Sequence, residues 1–180
     1  MAQEMKTRIV VLLAILISLS ACKELDELTQ FTMDFNNKVT IPANTVINTP
    51  ISISVPDIST NSASTFSGNN TNAGAIEEIK LQQMQLSIVS PAGSNFNFFK
   101  SVEVFMQAEG LPEVAVASET NVADGLTLLG LNTSDANLKE YITKDKFSIR
   151  FSTTTDEAIT QDHEINVKTV FFIDAKILGQ

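Results

Sequence analysis

The sequence predicts an all-β protein, an antiparallel β-sandwich of immunoglobulin-like or jelly-roll-like type with one short crossover helix. Two observations carry this. Apolar side chains recur at every second position in eight or so short runs, the period of a strand with one buried face. Between the runs stand Gly, Pro, Asn and Asp clusters at the spacing of a sandwich.

The first run, FTMDFNNKVTIP, sets Phe31, Met33 and Phe35 on one parity against Thr32 and Asp34 on the other. ISISV repeats the pattern through Ile51, Ile53 and Val55, and Pro50 and Pro56 fence it as they would an edge strand. MQLSI buries Met84, Leu86 and Ile88. Ile79 and Leu81 just before it lie on the opposite parity, which requires a bulge near Gln82 and Gln83 or a change of facing sheet. SVEVFM and EVAVAS follow with Val102, Val104, Met106, Val114 and Val116, and LTLLGL is apolar on both faces. KFSIRFS turns Phe147, Ile149 and Phe151 inward and Ser148 and Arg150 outward; a long last strand is apolar at Ile165, Val167, Phe171 and Ile173. Turn residues divide these runs at Pro91-Ala92-Gly93, Gly110-Leu111-Pro112 and Asp124-Gly125. The helix is expected at SDANLKEYI, with Ser134 or Asp135 as N-cap and Leu138, Tyr141 and Ile142 spaced three and four apart.

The N-terminus has another character. Lys6 and Arg8 precede an apolar run over 9–19 that is short of the roughly 20 residues of a membrane-spanning helix. It ends in Leu19-Ser20-Ala21-Cys22, at the sole cysteine of the chain. This resembles the lipobox of bacterial lipoproteins: an apolar residue, two small residues, then the cysteine that becomes the mature N-terminus. The resemblance covers about the first 22 residues. It implies that residues 1–21 are a signal peptide and that the Cys22 thiol carries diacylglycerol, with the freed amine usually acylated as well. Two or more acyl chains anchor a protein stably where one does not.

Lys23 stands where an Asp would signal retention at the inner membrane, so the resemblance implies an outer-membrane lipoprotein of a Gram-negative envelope, surface-exposed or facing the periplasm. Glu24, Asp26 and Glu27 make residues 22–30 an acidic tether, leaving 31–180 as a single sandwich domain. Removing 1–21, which hold Glu4, Lys6 and Arg8, leaves 20 acids, 10 bases and a formal charge of −10. Such a surface repels nucleic acid.

The catalytic inventory is thin. His163 is the one histidine, and in Asp162-His163-Glu164 strand geometry turns it away from both acids, so the three cannot hold one ion. An exposed, polar strand start is the expectation there. Gly125 and Gly130 have the spacing of a phosphate loop, but Leu131 and Asn132 follow where Lys and Ser/Thr must stand. No catalytic, metal or cofactor residue is assigned.

Two candidate binding features remain. Residues 57–75 are Ser/Thr/Asn/Gly-rich and read as a mobile tip that folding does not need, with Phe66 as apolar anchor and Asn69, Asn70 and Asn72 as hydrogen-bonding groups. Phe98 and Phe99, adjacent aromatics that cannot both face the core from a strand, are candidate exposed aromatics. The functional expectation is a non-enzymatic binding or structural module with an envelope protein or glycan as partner. The alternatives are an accessory subunit docking to an outer-membrane transporter by strand addition and a glycan hydrolase using paired carboxylates.

Overall fold

A computed structural model of the chain describes residues 29–43 and 46–176. Cys22, the expected signal peptide at 1–21 and nearly all of the expected tether at 22–30 lie outside the described residues. Eight strands form: β1 Gln30–Ile41, β2 Pro50–Ser59, β3 Ile76–Ser90, β4 Phe99–Ala108, β5 Val114–Glu119, β6 Leu128–Thr133, β7 Lys146–Thr155 and β8 His163–Ala175. Helix α1, Ser62–Gly68, lies between β2 and β3, and α2, Lys139–Ile142, between β6 and β7.

Every pairing is antiparallel, and the strands follow the order β1-β8-β3-β6-β5-β4-β7-β2. The link between β6 and β5 is short, just Ala117 with Thr133 and Ser118 with Asn132. The sheet therefore folds there into two facing halves, β1-β8-β3-β6 and β2-β7-β4-β5. That is the jelly-roll arrangement of two interleaved Greek keys. Of the two sandwich types expected, the strand order selects the jelly roll and sets aside the immunoglobulin-like one.

The parities read from the sequence hold. β8 buries His163, Ile165, Val167, Thr169, Phe171, Ile173 and Ala175 in unbroken alternation, and β7 buries Phe147, Ile149, Phe151, Thr153 and Thr155. Between the halves Phe35, Phe147 and Phe171 pack edge to face at centroid distances of 5.3 Å, 5.7 Å and 6.1 Å, the geometry that the ring quadrupole favours. The parity break in β3 is a bulge: Leu81 pairs with Phe171 and Gln83 with Val170, leaving Gln82 over. In β2 a second bulge lies between Val55 and Ile58, with Asp57 at φ 55°. It follows Pro56 on an edge strand, where a missing amide donor disrupts no ladder.

The expected helix exists but begins later than predicted. Ser134 does not cap it; its amide and hydroxyl bond to the carbonyls of Val116 and Ala115 and extend the β5 edge. Asn137 Oδ1 instead accepts from the Lys139 and Ile79 amides. Leu138, Tyr141 and Ile142 are all buried, and Tyr141 Oη donates to the Pro112 carbonyl at 2.8 Å.

The reading of 57–75 as a dispensable loop is overturned. β2 continues to Ser59, α1 follows, and Phe66 is 1% exposed, packed edge-on against Phe31 at 6.2 Å. Buried Thr60 bolts the segment down, its hydroxyl donating to the Lys144 carbonyl at 2.6 Å and its amide to the Asp145 carbonyl at 2.9 Å. One deeply buried aromatic outweighs the poor helix propensity of Ser and Thr. Replacing Phe66 by Ala is therefore expected to cost about 3–5 kcal/mol in denaturant melts; a loss below about 1 kcal/mol would place the ring outside the core.

Candidate functional site

Strand polarity sorts the molecule into two ends. β1 starts at the end where β8 finishes, since Gln30 pairs with Asp174. The same end holds α1, the β4–β5 turn and the β6–β7 connection with α2. The opposite end gathers the connections β1–β2, β3–β4, β5–β6 and β7–β8. The first is the tether end, because the chain from Cys22 reaches the domain there; the other is the distal end.

The sequence-predicted binding residues fall on both ends and do not converge. Asn69, Asn70 and Asn72 are exposed as expected, but at the tether end and in local turns. Asn69 Nδ2 donates to the Thr65 carbonyl, Asn70 takes a positive φ after α1, and Asn72 Oδ1 accepts from the Gly74 amide. Their presumed anchor, Phe66, belongs to the core. Phe98 and Phe99 are at the distal end, and the expectation of exposure fails for both: they are 6% and 3% exposed. The reason is that Phe98 precedes β4 instead of lying on it. The Phe99 amide closes a turn on the Phe96 carbonyl, so Phe96, Phe98 and Phe99 gather into one cluster with centroids 4.6–6.2 Å apart.

His163 completes this cluster, another departure from expectation. Its ring lies 4.7 Å from that of Phe98, and it is 7% exposed. Nδ1 lies 2.9 Å from the Gln161 carbonyl, which can only accept, so Nδ1 carries a proton and donates to it. Its sequence neighbours go elsewhere: Asp162 Oδ1 accepts from the Ala43 amide, and Glu164 pairs with Lys38 at 2.7 Å. Three side chains with three separate partners do not make a metal site. Beside His163 a polar pocket of about 210 Å³ opens between Ser94, Asn95, Asn97, Glu157 and Thr160.

A larger cleft, about 810 Å³, lies at the tether end between the β2 bulge, the β4–β5 turn and the start of β7. Its charges are mixed, with Asp57, Glu109 and Asp145 against Lys144 and Lys146. Lys146 reaches Asp57 at 3.7 Å, and both side chains are largely exposed, so the pair contributes little.

The third site is on the outer face of β2-β7-β4-β5 and is the most organised. Arg150, the outward residue of β7, donates from Nε and Nη2 to the two carboxylate oxygens of Glu113 at 2.7 Å and 2.6 Å. Its guanidinium also lies 4.3 Å from the centre of the Phe105 ring. Phe105 and Arg150 are cross-strand partners in the β4–β7 register, so the stacking follows from the pairing. On the other side of Phe105 a groove of about 260 Å³ runs over Ala115 and Ala117, bordered by Glu103, Ser118, Asn132 and Ser134. The sequence reading passed over this site. The signal was present, because Phe105 stands at outer parity between Val104 and Met106.

The hydrogen bonds from Arg150 hold the Glu113 carboxyl below its ordinary pKa against the opposing effect of burial, with a lesser contribution from the guanidinium charge; the Arg150 guanidinium is raised in turn by the same hydrogen bonds. A depressed carboxyl stabilises the fold above its unfolded pKa, and that contribution disappears as pH falls through the folded value. Glu113→Gln should cost under about 1 kcal/mol at pH 7, the scale of an exposed ion pair. In urea melts the gap to wild type should close on acidification below the ordinary carboxylate range. A gap that stays constant would show that the amide disturbs packing and not charge.

No protein-family model matches the sequence, and no curated protein does. Among solved structures the chain is similar to a protein of Desmodium yellow mottle tymovirus at 8% identity, covering 84% of this chain and 85% of that one with a TM-score of 0.29. It is similar to one of Turnip yellow mosaic virus at 11% identity, covering 84% and 96%, TM-score 0.29. It is also similar to a carbohydrate-binding module described as of the beta-sandwich super family, at 10% identity, covering 82% and 55%, TM-score 0.28.

Proposed function

We propose that the chain is a lipid-anchored binding module of a Gram-negative envelope, cleaved before Cys22, acylated there and held at the outer membrane. The observation that carries this reading is the run from Lys6 to Cys22, in which the basic start, apolar length, small residues and unique cysteine agree. The polarity of β1 supports it. Only seven residues separate Cys22 from Gln30, the first residue of β1, so an anchored domain stays close to the bilayer at its tether end. The four distal connections then face away from the membrane.

The distal end has the chemistry of a contact surface. Val46, Ile47, Val89 and Leu128 are 45–55% exposed, and each stands in or beside a distal connection. Solvated apolar side chains gathered at one end, among short polar loop residues, suit a protein or glycan partner. The domain works in this reading by display and contact, without a reaction.

Strand addition to an envelope transporter is the second reading, favoured by one observation. β1 and β2 stand at the two ends of the strand order, and β1 offers twelve residues of edge backbone for pairing.

Intact mass spectrometry of protein extracted from its native membrane tests the anchor. The expected species starts at Cys22 and carries diacylglycerol plus a further acyl group. A chain that retains residues 1–21 without added lipid would contradict the proposal.

A further inference from the structure

The groove on the outer face lies over β5, between Phe105 of β4 and the end of β6 at Asn132 and Thr133. Its floor is the exposed side chain of Ala115, the cross-strand partner of Phe105, together with the β5 chain at Ala117, whose own side chain is 5% exposed and belongs to the core. One wall is the Phe105 ring. Its orientation is fixed from behind, because Glu113 clamps the guanidinium of Arg150 with two hydrogen bonds and the guanidinium lies on the ring. Arg150 does not line the groove, which lies on the β5 side of Phe105 while Arg150 approaches from β7. The rim is polar. Asn132 Nδ2 donates to Glu119 Oε2 at 3.1 Å, fixing its amide, and Ser134 Oγ donates to the Ala115 carbonyl at 3.0 Å, leaving its oxygen lone pairs as acceptors. Glu103 adds a carboxylate.

Charge restricts what can enter. A cation on the exposed side of Phe105 would face a guanidinium already drawing on the same ring. An anion would meet Glu103 and Glu119 on a chain whose formal charge is −9 before processing. The ligand is then neutral, with one apolar face for the ring and hydroxyls for the carboxylate, amide and serine acceptors. We propose that the groove over Ala115, walled by Phe105 and rimmed by Glu103 and Asn132, binds one pyranose unit of a neutral glycan. This deepens the proposed binding function and rests on its binding half alone, since a failed lipid anchor would leave the groove unchanged. A site of about 260 Å³ that opens to solvent holds one ring and lets the rest of a chain pass over the sheet. Affinity for a single sugar is accordingly weak, on the order of 1 mM.

Saturation-transfer NMR reads such binding from the ligand side. The full chain, purified in a phosphocholine detergent, is mixed in turn with the methyl glycosides of glucose, galactose, mannose and N-acetylglucosamine. Glucuronate and glucosamine serve as charged probes. At least one neutral glycoside should take up saturation, strongest on the C–H groups of one ring face. Its affinity should fall about tenfold in Phe105→Ala, which removes the wall, and in Ala115→Leu, which fills the floor from a solvent-facing position. Glu103→Gln should weaken binding by less, and circular dichroism reports whether each variant keeps its sheet. The proposal is overturned if no neutral glycoside takes up saturation. It is equally overturned if the charged probes outperform all neutral ones, or if folded Ala115→Leu binds as wild type does. Transfer abolished instead by distal-end changes such as Asn95→Ala would move the site to the pocket beside His163.

Discussion

β8 is hydrogen-bonded along its length to β1 on one side and β3 on the other, and seven of its thirteen side chains enter the core in strict alternation. A slip of one residue would turn Ile165, Val167, Phe171 and Ile173 to solvent and bring Glu164, Lys168 and Asp174 inward. No arrangement of the other strands could compensate for burying those charges unpaired. The register of β8 therefore sets that of β1 and β3. Through Phe35 and Phe171, which both meet Phe147, it also sets how the opposite half of the sandwich lies on its own.

The sorting of connections to two ends follows from the same register. With β1 and β8 antiparallel and fully overlapped, the chain must enter and leave the described domain at one end. The jelly-roll order then sends four of the connections to the other. The tether end is covered by α1 and α2, with Phe66, Leu138 and Ile142 buried beneath them; the distal end carries the exposed apolar side chains. The outer-face groove belongs to neither end. It lies over Ala115 of β5 beside the end of β6, and its wall is held because a cross-strand pair, Phe105 with Arg150, is clamped by a bidentate carboxylate. Its geometry thus depends on the β4–β7 register more than on any loop.

The strands were legible in the sequence wherever one face is buried and the other solvated, because a period of two leaves little choice of register. The β3 bulge could be placed near Gln82 for the same reason, as a break in parity. What the sequence concealed has physical causes. α1 holds one large apolar residue in a run of Ser, Thr and Asn, so no helical periodicity announces it, and burial of Phe66 is a tertiary fact. Phe98 and Phe99 were misjudged because the alternation argument presumes a strand, whereas a tight turn lets consecutive rings gather on one side. His163 stood at inner parity, but a histidine before a charged strand does not reveal that a ring from β3–β4 will cover it. Arg150 was read correctly as outward, and the groove beside its partner was missed because it depends on which strands pair beside β4, which is a tertiary fact.

The central claim, that β8 ties the two ends of the chain into one cooperative unit, is tested most directly by native-state hydrogen exchange. The backbone amides from Ile165 to Ile173 should exchange only by global unfolding, with protection that falls by the full amount when the domain is destabilised by denaturant. Amides in the distal connections should exchange by local opening, insensitive to low denaturant. If the β8 amides exchange through a sub-global opening while β4 and β7 keep full protection, the two halves are separable and β8 is not what holds them together.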